Sequence, residues 1–214
     1  GRSLEAVVNI ALALRRSSPT DLQLKEAVWD LVGPIFEAEL NESVRGANGE
    51  FATLAGLYCA NFHFLNGPWV EQQFDRLFST ANEAAWKCAA EGFAYQRYLY
   101  EWLFRHLRDR GHLRRMIRSH EASNQVAEKA LQFLALAYLE GHENLDSGGG
   151  ILGELVDDLE AEHLAQLCWF FWTLSQPDPN GASGRSQKIL AFWRRTWEVV
   201  RASGVELPEV QSAL

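Results

Sequence analysis

The stretch 51-FATLAGLYCANFHFL-65 decides the class of fold. Phe51, Leu54, Tyr58, Phe62 and Leu65 recur at steps of three and four. That period lines apolar side chains along one face of an α-helix, whereas a strand, with its period of two, would scatter them over both faces. Working outward, the same step recurs upstream at Leu4, Val7, Val8, Ala11 and Leu14, and again at Leu24, Val28, Leu31 and Ile35. Downstream it continues through Val70, Phe74 and Leu77, then Tyr95, Leu99, Trp102 and His106, then Val126, Ala130, Phe133, Leu134 and Ala137. Two further stripes run Leu152, Val156, Leu159, His163, Leu167, Phe170 and Leu174, and Ile189, Trp193, Thr196, Trp197 and Val200. The pattern predicts an all-α chain of about nine or ten helices. From Ala130 to Leu139 only Gln132 and the Tyr138 hydroxyl are polar, as expected of a helix buried on all sides.

Punctuation between the stripes agrees with them. Thr20 with Gln23, and Thr80 with Glu83, have the spacing of capping boxes, in which a hydroxyl and a side-chain carbonyl satisfy orphan amides at a helix start. Pro68 follows Asn66-Gly67 and suits a first helical position, where no amide hydrogen is needed. Gly33-Pro34 should kink or break the second helix, because proline removes a hydrogen bond and crowds the turn before it. The longer connections are Gly46 to Gly49, Glu143 to Gly150 and Gln176 to Gly184. The rest are short, and short connections force successive helices to lie antiparallel. Pairs of this kind, about 30 to 45 residues each, predict an α-solenoid of HEAT or tetratricopeptide type. No consensus repeats at a fixed period, and a single globular bundle is the alternative. The stripes begin almost at residue 1 and end on the weak fragment Leu207 to Leu214, so residues 1–214 read as one helical domain taken from a longer protein.

Composition limits the partners. The 214 residues carry a formal net charge of -8 and a sequence pI of about 5.3, which argues against coating nucleic acid or an anionic membrane over a wide surface. No apolar run approaches the roughly 20 residues needed to span a bilayer. Cys59, Cys88 and Cys168 are odd in number and lack CxxC spacing, so neither a disulfide framework nor a zinc ribbon is expected, and a reduced, cytoplasmic setting fits.

One segment reverses the chain's sign. Residues 105–120 hold Arg105, Arg108, Arg110, Arg114, Arg115, Arg118 and three histidines against a single aspartate. The run straddles Gly111, so two arginine-bearing helix ends could converge on an anionic partner. The alternative is a solvated ladder in which Arg97, Glu101, Arg105 and Asp109 step by four and neutralise one another. The acidic segment with Glu154, Asp157, Asp158, Glu160 and Glu162 is a possible counterpart of the run.

Other motifs carry less. Glu160 and His163 have the Glu-x-x-His spacing of di-iron bundles, but no second copy exists, and His163 reads as a hydrogen-bonded core histidine. Gly148, Gly150 and Gly153 have the order of a dinucleotide cradle but follow no strand, so they read as a loop. The cysteines sit in helical stretches where a thiol is inert filler, and no hydrolase elbow is present. No metal and no cofactor are expected. Tryptophan pairs at 169 and 172, and at 193 and 197, suit either core packing or an interface, and an exposed member would mark a partner surface.

The segment Gly67-Pro68-Trp69-Val70 leading to Leu77-Phe78, with Ala85-Trp86, Gly92-Phe93 and later Phe192-Trp193 before Trp197, resembles the carboxy-terminal helical regions of large bacterial defence-type proteins. Those carry a sirtuin-like or NTPase domain upstream. The resemblance implies a sensor, scaffold or oligomerisation region whose chemistry lies in another domain, and it assigns no role to any residue. The expected function is therefore a non-catalytic helical module that binds a protein partner or another domain of its parent chain. The alternative is a nucleic-acid-associated module using Arg105 to Arg118.

Overall fold

The computed structural model describes residues 2–18, 20–119, 122–146, 148, 150–175 and 183–204. Among these residues are ten helices and no strand, and the chain is all-α. The helices fall into two compact units, Gly1–Val126 and Ala127–Leu214. No helix among the described residues is long and apolar enough to cross a membrane.

The first unit contains α1 (Arg2–Ser17), α2 (Leu22–Val44), α3 (Gly49–Leu77), α4 (Glu83–Phe93), α5 (Glu101–Asp109) and α6 (His112–Arg118). Four helical starts share one device. Asp21, Asn48, Asn66 and Asn82 accept, through their side-chain oxygens, the amides of Leu24, Phe51, Trp69 and Ala85 at 3.0 to 3.1 Å. The caps expected at Thr20 and Thr80 are thus taken by residues one and two positions later, since Asp and Asn are stronger cap formers than Thr. Asn66 leaves helical geometry (φ -152°, ψ 90°) and divides α3 into two arms, with Pro68 in the first turn of the second.

In α2 the break expected at Pro34 does not occur, and the expected stripe is misplaced. The helix runs through Pro34 without a break. Pro34 and Asp30 are both exposed, so the carbonyl that proline leaves unbonded lies on the watered side. The buried stripe is Val28, Val32, Phe36 and Leu40, a step of four, while Leu31 and Ile35 are exposed. Between α4 and α5 the expected helical stripe is also absent, because Tyr95 and Leu99 lie in irregular chain. There the buried Gln96 reaches back and donates to the carbonyls of Gly56 and Leu57 at 2.9 and 2.7 Å, just ahead of the non-helical Tyr58.

The core of this unit has two parts. Phe36, Phe51 and Phe62 cluster with ring centroids 4.8 to 6.4 Å apart, beside Trp29 and Trp69 at 5.2 Å. Where α3 crosses α4 the backbones touch. A Cβ on Gly56 would stand 1.9 Å from the Ala89 carbonyl oxygen, and one on Gly92 would stand 1.9 Å from that of Thr53. Only glycine allows that approach.

In the second unit lie α7 (Asn124–Glu140), whose first turn begins before the unit boundary, α8 (Ile151–Asp157), α9 (Ala161–Leu174) and α10 (Ser183–Ser203). As expected, α7 is buried over most of 130–139. Tyr138, Phe171 and Phe192 bring α7, α9 and α10 together, with centroids at 6.0 and 4.6 Å. Lys188 donates to the carbonyls of Tyr138 and Leu139 at 3.0 and 2.9 Å, covering the negative end of α7, while the Tyr138 hydroxyl donates to the Lys188 carbonyl at 2.9 Å. The long stripe from Leu152 to Leu174 proves to be two helices. Leu159 takes a left-handed φ of 53° between them, with the amides of Leu159 and Glu160 bonded back to Val156 and Leu155, the pattern of a Schellman stop normally given to glycine. Residues 176–182 and 205–214, which hold most of one expected loop and the closing fragment, lie outside the described residues.

Candidate functional site

Gly111 takes a left-handed φ of 77° and divides the arginine run between α5 and α6, as the sequence predicts. The run then turns inward on the protein's own groups. Arg105 pairs with Glu101 one turn back. Arg108 donates to Asp109 at 2.8 Å and lies over Phe104. Arg110 reaches Asp75 on α3 at 2.6 Å and covers Phe74. Arg115 lies over the Trp86 ring with its guanidinium carbon 3.9 Å from the centroid. Arg114 and Arg118 are exposed on α6. Arg105, Arg108, Arg110 and Arg115 are thus directed at carboxylates and rings inside the first unit, and each such half-exposed ion pair contributes about 0 to 1 kcal/mol. Arg97, expected on the same ladder, precedes α5 and does not share its face.

Behind the run sits His112, 2% exposed. Its Nδ1 accepts the indole hydrogen of Trp86 at 3.2 Å, so its own proton resides on Nε2, which is buried without a partner among the described residues. Burial pushes this imidazole down to about 4, with Arg110 and Arg115 adding to the effect and Asp75 opposing it. A neutral, enclosed histidine of this kind stabilises a core and reaches no substrate. Nearby, His63 stacks on Trp102 at 4.0 Å, and His106 places Nδ1 2.9 Å from the Trp102 carbonyl. An open groove of about 650 Å³ runs past Trp102 and His106, with Glu101 and Asp109 interleaved with Arg105 and Arg110. Its charges alternate, so no single sign of ligand is favoured.

The remaining chemical candidates are occupied or enclosed. His163 Nδ1 lies 2.6 Å from Glu160, so the Glu-x-x-His pair satisfies itself, half-buried and not in the deep core. No group of three or more His, Cys, Asp or Glu among the described residues is placed to hold a metal ion. Burial pushes the thiols of Cys59 and Cys168 up to about 12, far from a reactive thiolate. Gly148 and Gly150 lie in the connection ahead of the seven-residue α8, Gly153 is buried inside that helix, and no strand leads into them, so the loop expected for this series holds only for its first two members.

The second unit carries an apolar opening without basic lining. A groove of about 300 Å³ lies between α7 and α9, formed by Leu131 and Gln132 on one side and by Gln166, Leu167, Trp169 and Phe170 on the other, with Glu128 at its edge. Helix α9 has no charged residue from Leu164 through Leu174. Its inner face, Leu164, Leu167, Cys168 and Phe171, is buried. Its outer face carries Trp169 and Trp172, which remain 59% and 52% exposed. A helix apolar nearly all round is ordinarily covered on all sides, and large exposed rings are rare on a surface that meets only water.

Comparison with family models, with curated proteins and with solved structures returned no match. The site therefore stands on its geometry. Sequence reasoning singled out the tryptophan pair at 169 and 172 but not its neighbours Glu128, Gln132 and Gln166, whose only signal is their place on α7 and α9 at helical spacing from Leu131 and Phe170. It missed the Trp86–His112 pair, whose members lie 26 residues apart.

Proposed function

We propose that this chain is a non-catalytic helical interaction module that engages a protein partner, or another domain of its parent chain, through the α7–α9 face, in the cytoplasm and as the sensor or scaffold part of a larger protein. The observation that carries this reading is the uncharged stretch of α9 from Leu164 to Leu174, with two half-exposed tryptophans beside an apolar groove. Tryptophan buries a large ring at a partner surface, and binding energy concentrates in a few residues among which tryptophan is enriched. The absence of charge matches the centre of an interface, where charged groups are depleted. The satisfied Glu160–His163 pair, the enclosed His112 and the two buried thiols support a module without chemistry of its own. The inward pairing of the arginine run lends no support to the nucleic-acid alternative.

The test is site-specific photo-crosslinking in cells, with a benzophenone amino acid in place of Trp169, of Arg118, or of the exposed control Glu26. The expected result is a discrete protein adduct at position 169 that positions 118 and 26 lack. Adducts to nucleic acid at 118, with none at 169, would favour the alternative.

A further inference from the structure

The chemistry of the α7–α9 groove narrows the kind of partner, an inference that rests on the reading above. Its floor is aliphatic and aromatic, from Leu131, Leu167 and Phe170, and its wall is the exposed Trp169 ring. Its polar groups are biased towards acceptors. The Oε1 of Gln166 is buried and has no hydrogen-bond partner among the described residues. The Glu128 carboxylate stands exposed at the edge, accepting from the Gln132 amide at 3.2 Å, and no arginine or lysine lines the groove. A buried acceptor left without a donor is costly, and the face of an exposed indole attracts cations. An occupant bringing cationic N–H groups suits each of the three.

The wider charge distribution points the same way. Residues 127–214 contain thirteen acidic and six basic residues, while residues 1–126 contain fifteen and fourteen, so nearly all of the net charge of -8 belongs to the second unit. The form of the opening favours a macromolecule over a small molecule. At about 300 Å³ and open to solvent, it is at the lower limit of ligand pockets, which enclose most of their ligand's surface. A trough between two helices instead accepts side chains from one face of a third.

We propose that the groove binds an amphipathic helix of a partner protein whose polar face is basic. Apolar anchors one turn apart fill the Leu131–Phe170 floor against Trp169, and a flanking lysine or arginine donates to Gln166 Oε1 and to the Glu128 carboxylate. The same acidic field that orients this helix repels acidic ones.

The probe is a phage-displayed library of helical peptides of about 15 residues, long enough for marginal helicity in isolation, selected against the 214-residue chain and counter-selected against the Trp169→Asp variant. The expected winners combine an apolar i, i+4 pair with an excess of Lys and Arg. The best of them should lose about tenfold or more in affinity on Trp169→Asp, as hot-spot residues do, and should weaken on Glu128→Lys and on Gln166→Leu. All three positions are at least partly exposed, and a thermal melt of each variant separates lost binding from lost fold. Winners that are neutral or acidic, or binding that strengthens on Glu128→Lys, would overturn the basic-helix assignment while leaving the interaction face intact. Winners without helical period would overturn the helix assignment alone. Failure to enrich any peptide over the Trp169→Asp background would overturn both this inference and the reading beneath it.

Discussion

His112 shows how one buried side chain couples stability to pH. In the folded chain its imidazole is held down at about 4, whereas an unfolded histidine titrates near 6.5. Between these values the unfolded state binds a proton that the native state refuses. Stability is therefore whole above about pH 6.5 and falls as pH drops towards 4, by an amount on the order of 3 kcal/mol. The carboxylate of Glu37, held below its usual range first by its bond from Arg76, also loses stability in acid, so the histidine contribution must be isolated. His112→Asn offers an acceptor but cannot titrate. Urea melts of wild type and His112→Asn at several pH values should diverge across that window, and parallel curves would remove His112 as the cause. Neighbouring Arg115 is a second residue-scale test. Truncating Arg115→Ala uncovers the Trp86 ring and should cost about 1 to 2 kcal/mol, whereas Arg105→Ala loses only an exposed pair, within about 0.5 kcal/mol. Equal effects on the melting temperature would mean that the arginines share one role after all.

Helix against helix, the crossing of α3 and α4 leaves the least latitude in the first unit. The 1.9 Å approaches at Gly56 and Gly92 are to backbone oxygens, which cannot swing aside as a side-chain tip could. Gly92→Ala must then separate the two helices or distort one, at a cost of about 3 kcal/mol or more, read as a drop in denaturant midpoint. A loss of only a few tenths would show that the helices slide freely. The same substitution should leave peptide binding at the α7–α9 groove unchanged in whatever fraction remains folded, because the groove is built entirely within the second unit. Sequence and structure part company at this scale in an instructive way. Periodicity located α2 but chose Leu31 and Ile35 over Val32 and Phe36, because a run with apolar residues at 28, 31, 32, 35 and 36 supports two faces and only the neighbouring helices choose between them. It joined α8 to α9 because no glycine or proline marks Leu159, where the chain adopts a left-handed turn with an ordinary residue.

For the whole molecule, charge sets the long-range behaviour. A chain at -8 in which Arg105, Arg108, Arg110 and Arg115 are engaged by its own carboxylates and rings should not retain duplex DNA at an ionic strength of about 0.15 M, since phosphate binding depends on cations free to displace counterions. A mobility shift abolished by Arg114→Glu with Arg118→Glu would contradict this. Basic peptides selected on the groove should bind several-fold more weakly when salt is raised from about 0.05 to about 0.5 M, as screening shortens the reach of the acidic second unit, and fluorescence anisotropy measures it. The sequence by itself determined the helical class, the division of the arginine run at Gly111 and the buried middle of α7. Each of these follows from steps of three or four residues or from one glycine, which are local properties of a chain. Only the tertiary structure decided that Arg110 is matched to Asp75, that His112 is closed in by Trp86, and that Trp169 and Trp172 stay exposed while Phe171 between them is buried. Those outcomes depend on which distant segments meet, and spacing along a helix carries no record of the partner that a neighbouring helix brings to it.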